Sequence, residues 1–199
     1  LLQGESQLER SLTREVAEYL GVSLEEADAR CLASDEQAHG EWRTMERSRP
    51  QQQTSYYDKS LAYLLTLVQW HRTSRDICPL HNAGALALAQ EAGARRCLDF
   101  GSGIGSMGIL LAKSGLSVTL ADVSTTLLDF ARWRFARRDL PATFLNLQTE
   151  MLHEAAFDFV TALDVLEHLQ DPIVAARSLV RATKLDGILV IQAHFADDM

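Results

Sequence analysis

The order of apolar and polar positions divides the chain into two regimes. Up to about residue 92 the apolar positions recur at helical spacing. Leu8, Leu12, Val16, Tyr19 and Leu20 mark one face of an amphipathic helix that Gly21 ends. Ser23 and Glu26 have the spacing of a capping box, which predicts a second helix through about Ala33. Residues 34 to 55 are polar, rich in Gln, Arg and Ser, and include Pro50; they read as a linker or mobile lid anchored by Trp42. Asp58 is placed to cap a helix carrying Leu61, Leu64, Leu65, Val68 and Trp70. A further helix is expected from about Pro79 to Ala92, closed by Gly93.

From residue 95 short apolar runs alternate with helical segments. Strands are expected at Arg96–Phe100, Ser117–Ala121, Ala142–Leu147, Phe157–Leu163 and Gly187–His194. The intervening helices fall at about Gly103–Ser114, from Ser124 to about Arg138, and from Asp171 as N-cap with Pro172 at the first helical position. Such alternation implies an α/β fold whose parallel strands are joined by right-handed crossovers. Ligands of such sheets sit at the carboxyl ends of the strands, where the strand order reverses.

One stretch stands at such a place. In Cys97-Leu98-Asp99-Phe100-Gly101-Ser102-Gly103-Ile104-Gly105-Ser106-Met107-Gly108, a short strand ends in a carboxylate, three alternate glycines follow, and a helix begins. Glycine permits positive φ and a close approach of backbone to ligand, and the helix start adds unpaired N–H groups. A nucleotide-like cofactor is therefore expected. Gly103, Gly105 and Gly108 also satisfy the dinucleotide pattern. Its first glycine should follow the strand directly, though, and Asp99 would face a pyrophosphate unfavourably. S-adenosylmethionine, cationic and without phosphate, is the better electrostatic match. Asp122 ends the second strand about twenty residues beyond the turn, where a carboxylate can accept ribose hydroxyls.

At these residues the chain resembles the class I S-adenosylmethionine-dependent methyltransferases, whose first motif is an acidic residue followed by alternating glycines. A second block, Phe157-Asp158-Phe159-Val160 leading into Asp164-Val165-Leu166-Glu167-His168-Leu169, is similar to the strand-four region of their small-molecule branch. The resemblance covers about residues 95 to 195. It implies a doubly wound, Rossmann-like, mostly parallel sheet in the order 3-2-1-4-5, with residues 1–75 as an N-terminal helical cap and 76–199 as the cofactor domain. It further implies a cofactor site formed by Asp99, Gly101, Ser102, Gly103, Gly105, Asp122, Val123 on the adenine face, Gln148 near the adenine amino group, and Asp164 at the methionine end. His168 and His194 are the candidates for a catalytic base, with His71 able to reach in from the cap. Tyr56, Tyr57, Trp70 and His71 are candidates to line the acceptor pocket. Asp164, Glu167 and His168, with His194, have a spacing that some metal-binding relatives use, but Asp replaces their first Glu and no metal is expected. The family's helix and antiparallel strand pair after strand five are not encoded here. The chain therefore reads as a truncated piece that binds cofactor more readily than it turns over.

Composition narrows the function classes. The 199 residues are 47% hydrophobic and 23% charged, with a formal net charge of −8. This acidic balance argues against a nucleic-acid partner, and the acidic second helix argues against reading Val16–Ser23 as the start of a DNA-binding helix-turn-helix. Cys31, Cys78 and Cys97 have no metal or disulfide spacing. No signal peptide or membrane-length apolar run is present, so a cytoplasmic location is expected. Arg132, Arg134, Arg137 and Arg138 read as a solvated basic face. The expected partner is a small-molecule methyl acceptor, and the N-terminal helices leave a homodimer open. A nicotinamide-dependent oxidoreductase, or a binding module using those helices, is the alternative.

Overall fold

A computed structural model of the chain describes residues 7–44, 50–73 and 78–194. Helices α1 (Leu8–Leu20), α2 (Leu24–Thr44), α3 (Pro50–Lys59), α4 (Leu61–Arg72) and α5 (Cys78–Glu91) precede the sheet. The remainder alternates: β1 (Arg96–Phe100), α6 (Ser106–Lys113), β2 (Ser117–Asp122), α7 (Thr125–Ala136), β3 (Thr143–Asn146) and β4 (Phe157–Leu163). A 3-10 turn at Leu166–His168, α8 (Pro172–Ala182) and β5 (Thr183–Gln192) complete it. The strands pair in the order β3-β2-β1-β4-β5, all parallel, as expected. β1 lies at the centre, and Cys97, Leu98, Asp99 and Phe100 are all buried, as a strand covered on both faces requires. The order reverses between β1 and β4, so the turn after β1 opens at the carboxyl edge of the sheet.

The first helices share a core with the sheet's own helices. Leu12, Val16, Leu64, Leu65 and Val68 pack with Ile104, Leu127 and Phe130. Tyr19 meets the rings of Phe130 and Trp133 edge-on at 4.9 and 5.6 Å. The glycine turn therefore lies between the N-terminal helices and the sheet.

Four expectations fail here. Residues 34–44 continue α2, and α3 starts at Pro50, so most of the expected linker is helical; residues 45–49 lie outside the described residues. The buried stripe of α2 is Ala27, Cys31, Ser34 and Ala38. It keeps helical spacing with side chains too small to give a hydrophobic signal. Trp42 anchors the end of α2 against Tyr56 and Tyr57, at ring separations of 5.3 and 5.8 Å. Secondly, Ser60 rather than Asp58 caps α4, by accepting from Tyr63 N at 3.0 Å. Asp58 reaches α7 instead and accepts from Thr125 N at 2.8 Å and from the Thr125 hydroxyl. Thirdly, the basic cluster is no solvated face: Arg132 is exposed, but Arg134 is wholly buried. β5 also begins at Thr183, straight after α8, with a bulge opposite Phe157–Phe159. A side chain at Gly187 would come within 2.8 Å of Thr183 Cγ2, so the bulge needs glycine.

Candidate functional site

The turn after β1 is built by backbone in the left-handed region: φ is +66° at Gly101, +52° at Gly103 and +76° at Gly105. The amides of Gly101 and Ser102 both donate to Ala121 O of β2, at 2.8 and 3.2 Å. Asp122 fastens the same turn, its Oδ2 accepting from Gly103 N and its Oδ1 from Ser124 N, both at 2.9 Å. Burial raises the Asp122 carboxyl above the ordinary carboxylate range, opposed by these amide donors. Asp99 accepts from Gly108 N at 3.1 Å and from the Thr161 hydroxyl at 3.0 Å. Burial pushes its carboxyl up to about 7. Two carboxyl groups thus stand at the turn, each hydrogen-bonded through both oxygens to it or to the strand beside it.

The glycines serve interior packing as well as any ligand. A Cβ on Gly101 would lie 1.8 Å from Val165 Cγ2, so this glycine makes room for the segment that follows β4. A Cβ on Gly105 would crowd Ala131 and Leu120 at 3.1 Å. Only at Gly103 is the nearest atom, Leu67 Cδ1, at an ordinary 3.4 Å. The two sequence blocks are therefore one contact in space, Gly101 against Val165.

A cavity of about 1710 Å³ opens above the turn. Its volume exceeds that of a pocket shaped for one small ligand and is enough for two side by side. Of the site residues expected from sequence, Asp99, Gly101, Ser102, Gly103, Asp122, Val123, Asp164, His168 and His194 line it; Gly105 and Gln148 are not among its described lining. Gln148 instead donates through Nε2 to Val123 O at 2.6 Å, which bounds the cavity from outside. Tyr57, Trp70 and His71 line it as expected; Tyr56 does not, and Tyr63, which the sequence reading missed, does. Tyr57 and Tyr63 stack edge-on at 5.0 Å, and burial raises both phenols. The Ser102 hydroxyl is buried without a hydrogen-bond partner among the described residues. A buried polar atom facing a cavity in this way suits a polar ligand group.

The second cluster lies where β4 and β5 end. Asp164 has φ +54°, unusual for a residue with a side chain. Its Oδ1 accepts from Gln192 Nε2 at 2.8 Å and pairs with His194 Nδ1 at 3.1 Å. Glu167 Oε1 accepts from His194 N at 3.1 Å. Asp164, Glu167 and His194 each bring one ligand-type atom within 4.8 Å of the others, and His168 stands outside this group. His168 sits instead on the 3-10 turn, its ring 6.5 Å from that of Tyr57.

Comparison with known proteins agrees with this arrangement. Residues 98–189 match the sequence model of the methyltransferase domain family. A ubiquinone biosynthesis O-methyltransferase from Alkalilimnicola ehrlichii is 32% identical over 131 residues, covering 61% of this chain and 53% of its own. A protein of the same name from Paracidovorax citrulli is 30% identical over 128 residues, covering 60% and 54%. The chain therefore spans about half the length of the curated relatives it matches. A crystal structure from Methanococcus maripaludis, described as a candidate S-adenosyl-L-methionine-dependent methyltransferase, superposes with a TM-score of 0.53. It has 22% identity and covers 60% of this chain and 57% of that one, a likeness in fold. S-adenosylmethionine is the methyl donor of this family. In the matched stretch across its sheet and in the order of its strands, the chain is similar to the class I S-adenosylmethionine-dependent methyltransferases.

Proposed function

We propose that this chain binds S-adenosylmethionine at the glycine turn and directs methyl transfer to a small-molecule acceptor held in the same cavity. The observation that carries the reading is the pair of buried carboxylates, Asp99 and Asp122, at a turn whose cavity lining includes Arg181 as the only Lys or Arg among the described residues. That field favours a cationic, phosphate-free nucleoside and disfavours a pyrophosphate. Residues 76–199 would form the cofactor domain and residues 1–75 its cap.

In this reading Asp122 holds the ribose hydroxyls, and Val123, braced by Gln148, packs on the adenine. Asp99, Ser102 and the backbone of Gly101, Gly103 and Gly105 receive the amino-acid end. When bound, the cofactor supplies an activated methyl group, and the protein's task is to position donor and acceptor. Tyr57, Tyr63 and Trp70 form the aromatic wall for the acceptor. His194 is the base we favour over His168, because Asp164 fixes its ring through Nδ1 and so directs Nε2 as acceptor for the acceptor's proton. A second reading rests on the 4.8 Å grouping: Asp164, Glu167 and His194 could ligate a divalent cation that orients an oxygen acceptor. Transfer of radiolabelled methyl to a panel of phenols, amines and thiols tests the proposal, and activity in excess EDTA separates base from cation. Absence of labelled product together with no thermal stabilisation by S-adenosylhomocysteine would refute it.

A further inference from the structure

The N-terminal helices reach the glycine turn through a buried chain of polar groups. Arg134 of α7 is fully buried, a position where an unpaired guanidinium would be strongly unfavourable. Its Nε donates to Glu15 Oε2 of α1 at 2.6 Å, and Arg138 donates to the other oxygen of Glu15. One carboxylate from α1 thus answers two guanidiniums, Arg134 of α7 and Arg138 just beyond its end, and all three side chains are 1% exposed. The far end of Arg134 points at the turn. Its Nη1 donates to Ile104 O at 2.5 Å and to Ser106 Oγ at 3.2 Å. Ile104 lies between Gly103 and Gly105, and Ser106 opens α6, whose N-terminus has no side-chain cap.

The chain of donors continues into the cap. Ser106 Oγ, which accepts from Arg134, is also hydrogen-bonded to His71 Nδ1, 3.0 Å away on α4. Burial, then the charge of Arg134, lowers its pKa to about 4, so the ring is neutral at physiological pH. A neutral imidazole hydrogen-bonded through Nδ1 to Ser106 braces the turn.

We propose that Glu15 is a positioning residue for the cofactor turn: it holds Arg134 beneath Ile104 and Ser106, and so keeps residues 103–106 in the shape that receives the ligand. This rests on the reading of that turn as the cofactor site. It gives α1 a role in binding although Glu15 does not line the cavity.

Hydrogen exchange, read on peptides covering residues 101–108 and 157–163, tests the proposal without any ligand, and titration with S-adenosylhomocysteine adds a second readout. Glu15→Gln is expected to speed exchange in 101–108 at least tenfold, leave 157–163 within twofold, and weaken ligand affinity at least tenfold. Arg134→Lys keeps the charge facing Glu15 but loses the planar fork, and should do the same. Should either variant fold poorly, Ser106→Ala removes a single hydroxyl and should still speed exchange in 101–108 about threefold. Exchange that is unchanged in 101–108, or faster equally in both peptides, overturns the proposal. If the unaltered protein does not bind S-adenosylhomocysteine, the functional reading fails, while the exchange result still decides the role of Glu15.

Discussion

The contact between Gly101 and Val165 makes the turn sensitive to a single methyl group. Gly101→Ala places a Cβ 1.8 Å from Val165 Cγ2, 2.9 Å from its Cβ and 3.2 Å from its Cγ1. It also puts alanine at φ +66°. The left-handed conformation costs about 1 kcal/mol for a residue with Cβ. Overpacking this half-buried contact adds about 1–3 kcal/mol, so the loss should reach roughly 2–4 kcal/mol, a large share of a domain's stability. Val165→Ala alone should destabilise by about 1–2 kcal/mol through lost burial. In the double variant the branched methyls are gone and only the 2.9 Å approach to Cβ persists, so the two losses should not add. A urea-denaturation cycle of the four proteins is expected to give a favourable coupling of at least about 1 kcal/mol. Strict additivity, or a Gly101→Ala protein as stable as the original, would show that this glycine is not there for Val165.

Asp99 makes stability depend on pH. Its folded carboxyl keeps its proton to about 7, against about 3.9 when unfolded. Its contribution is therefore full below pH about 4 and declines as pH rises through about 7, by up to about 4 kcal/mol; Asp99→Asn should flatten that part of the pH profile measured by thermal melting. His194→Gln should lower kcat at least 100-fold with little change in cofactor affinity, whereas His168→Gln should stay within a few-fold, as read by steady-state methyl transfer. Asp58→Ala removes the acceptor for both donors of Thr125. It should cost about 1 kcal/mol in denaturation, and limited proteolysis should then cut in residues 50–60 first.

The alternating half of the chain was legible because its signals are local. β1 and β4 fall at Arg96–Phe100 and Phe157–Leu163 as the apolar runs predict, and Ser124 and Asp171 cap α7 and α8 through their side chains. The first half was legible only where apolar residues are large. α1 ends at Gly21 in the left-handed conformation as expected, but the Ala27–Ala38 stripe of α2 carries small side chains, and a polar sequence hid a long helix. What failed most completely was long-range pairing. Nothing near Arg134 indicates that its carboxylate partner stands 119 positions earlier at Glu15. Likewise Asp58, three residues before a helix start, caps a helix 67 positions later. Such groups are chosen by the packing of whole helices, and no spacing rule reports that packing.

Likeness to a fold family leaves the chemistry to be argued from the site, and here the site's distinguishing feature is charge. Isothermal titration of the whole chain with S-adenosylmethionine, S-adenosylhomocysteine and NADH tests this most directly, with Asp122→Ala as the control. The account predicts heat of binding with the first two ligands, at least tenfold weaker in the variant, and none with NADH. Tight binding of NADH with no heat from either sulfur nucleoside would contradict it.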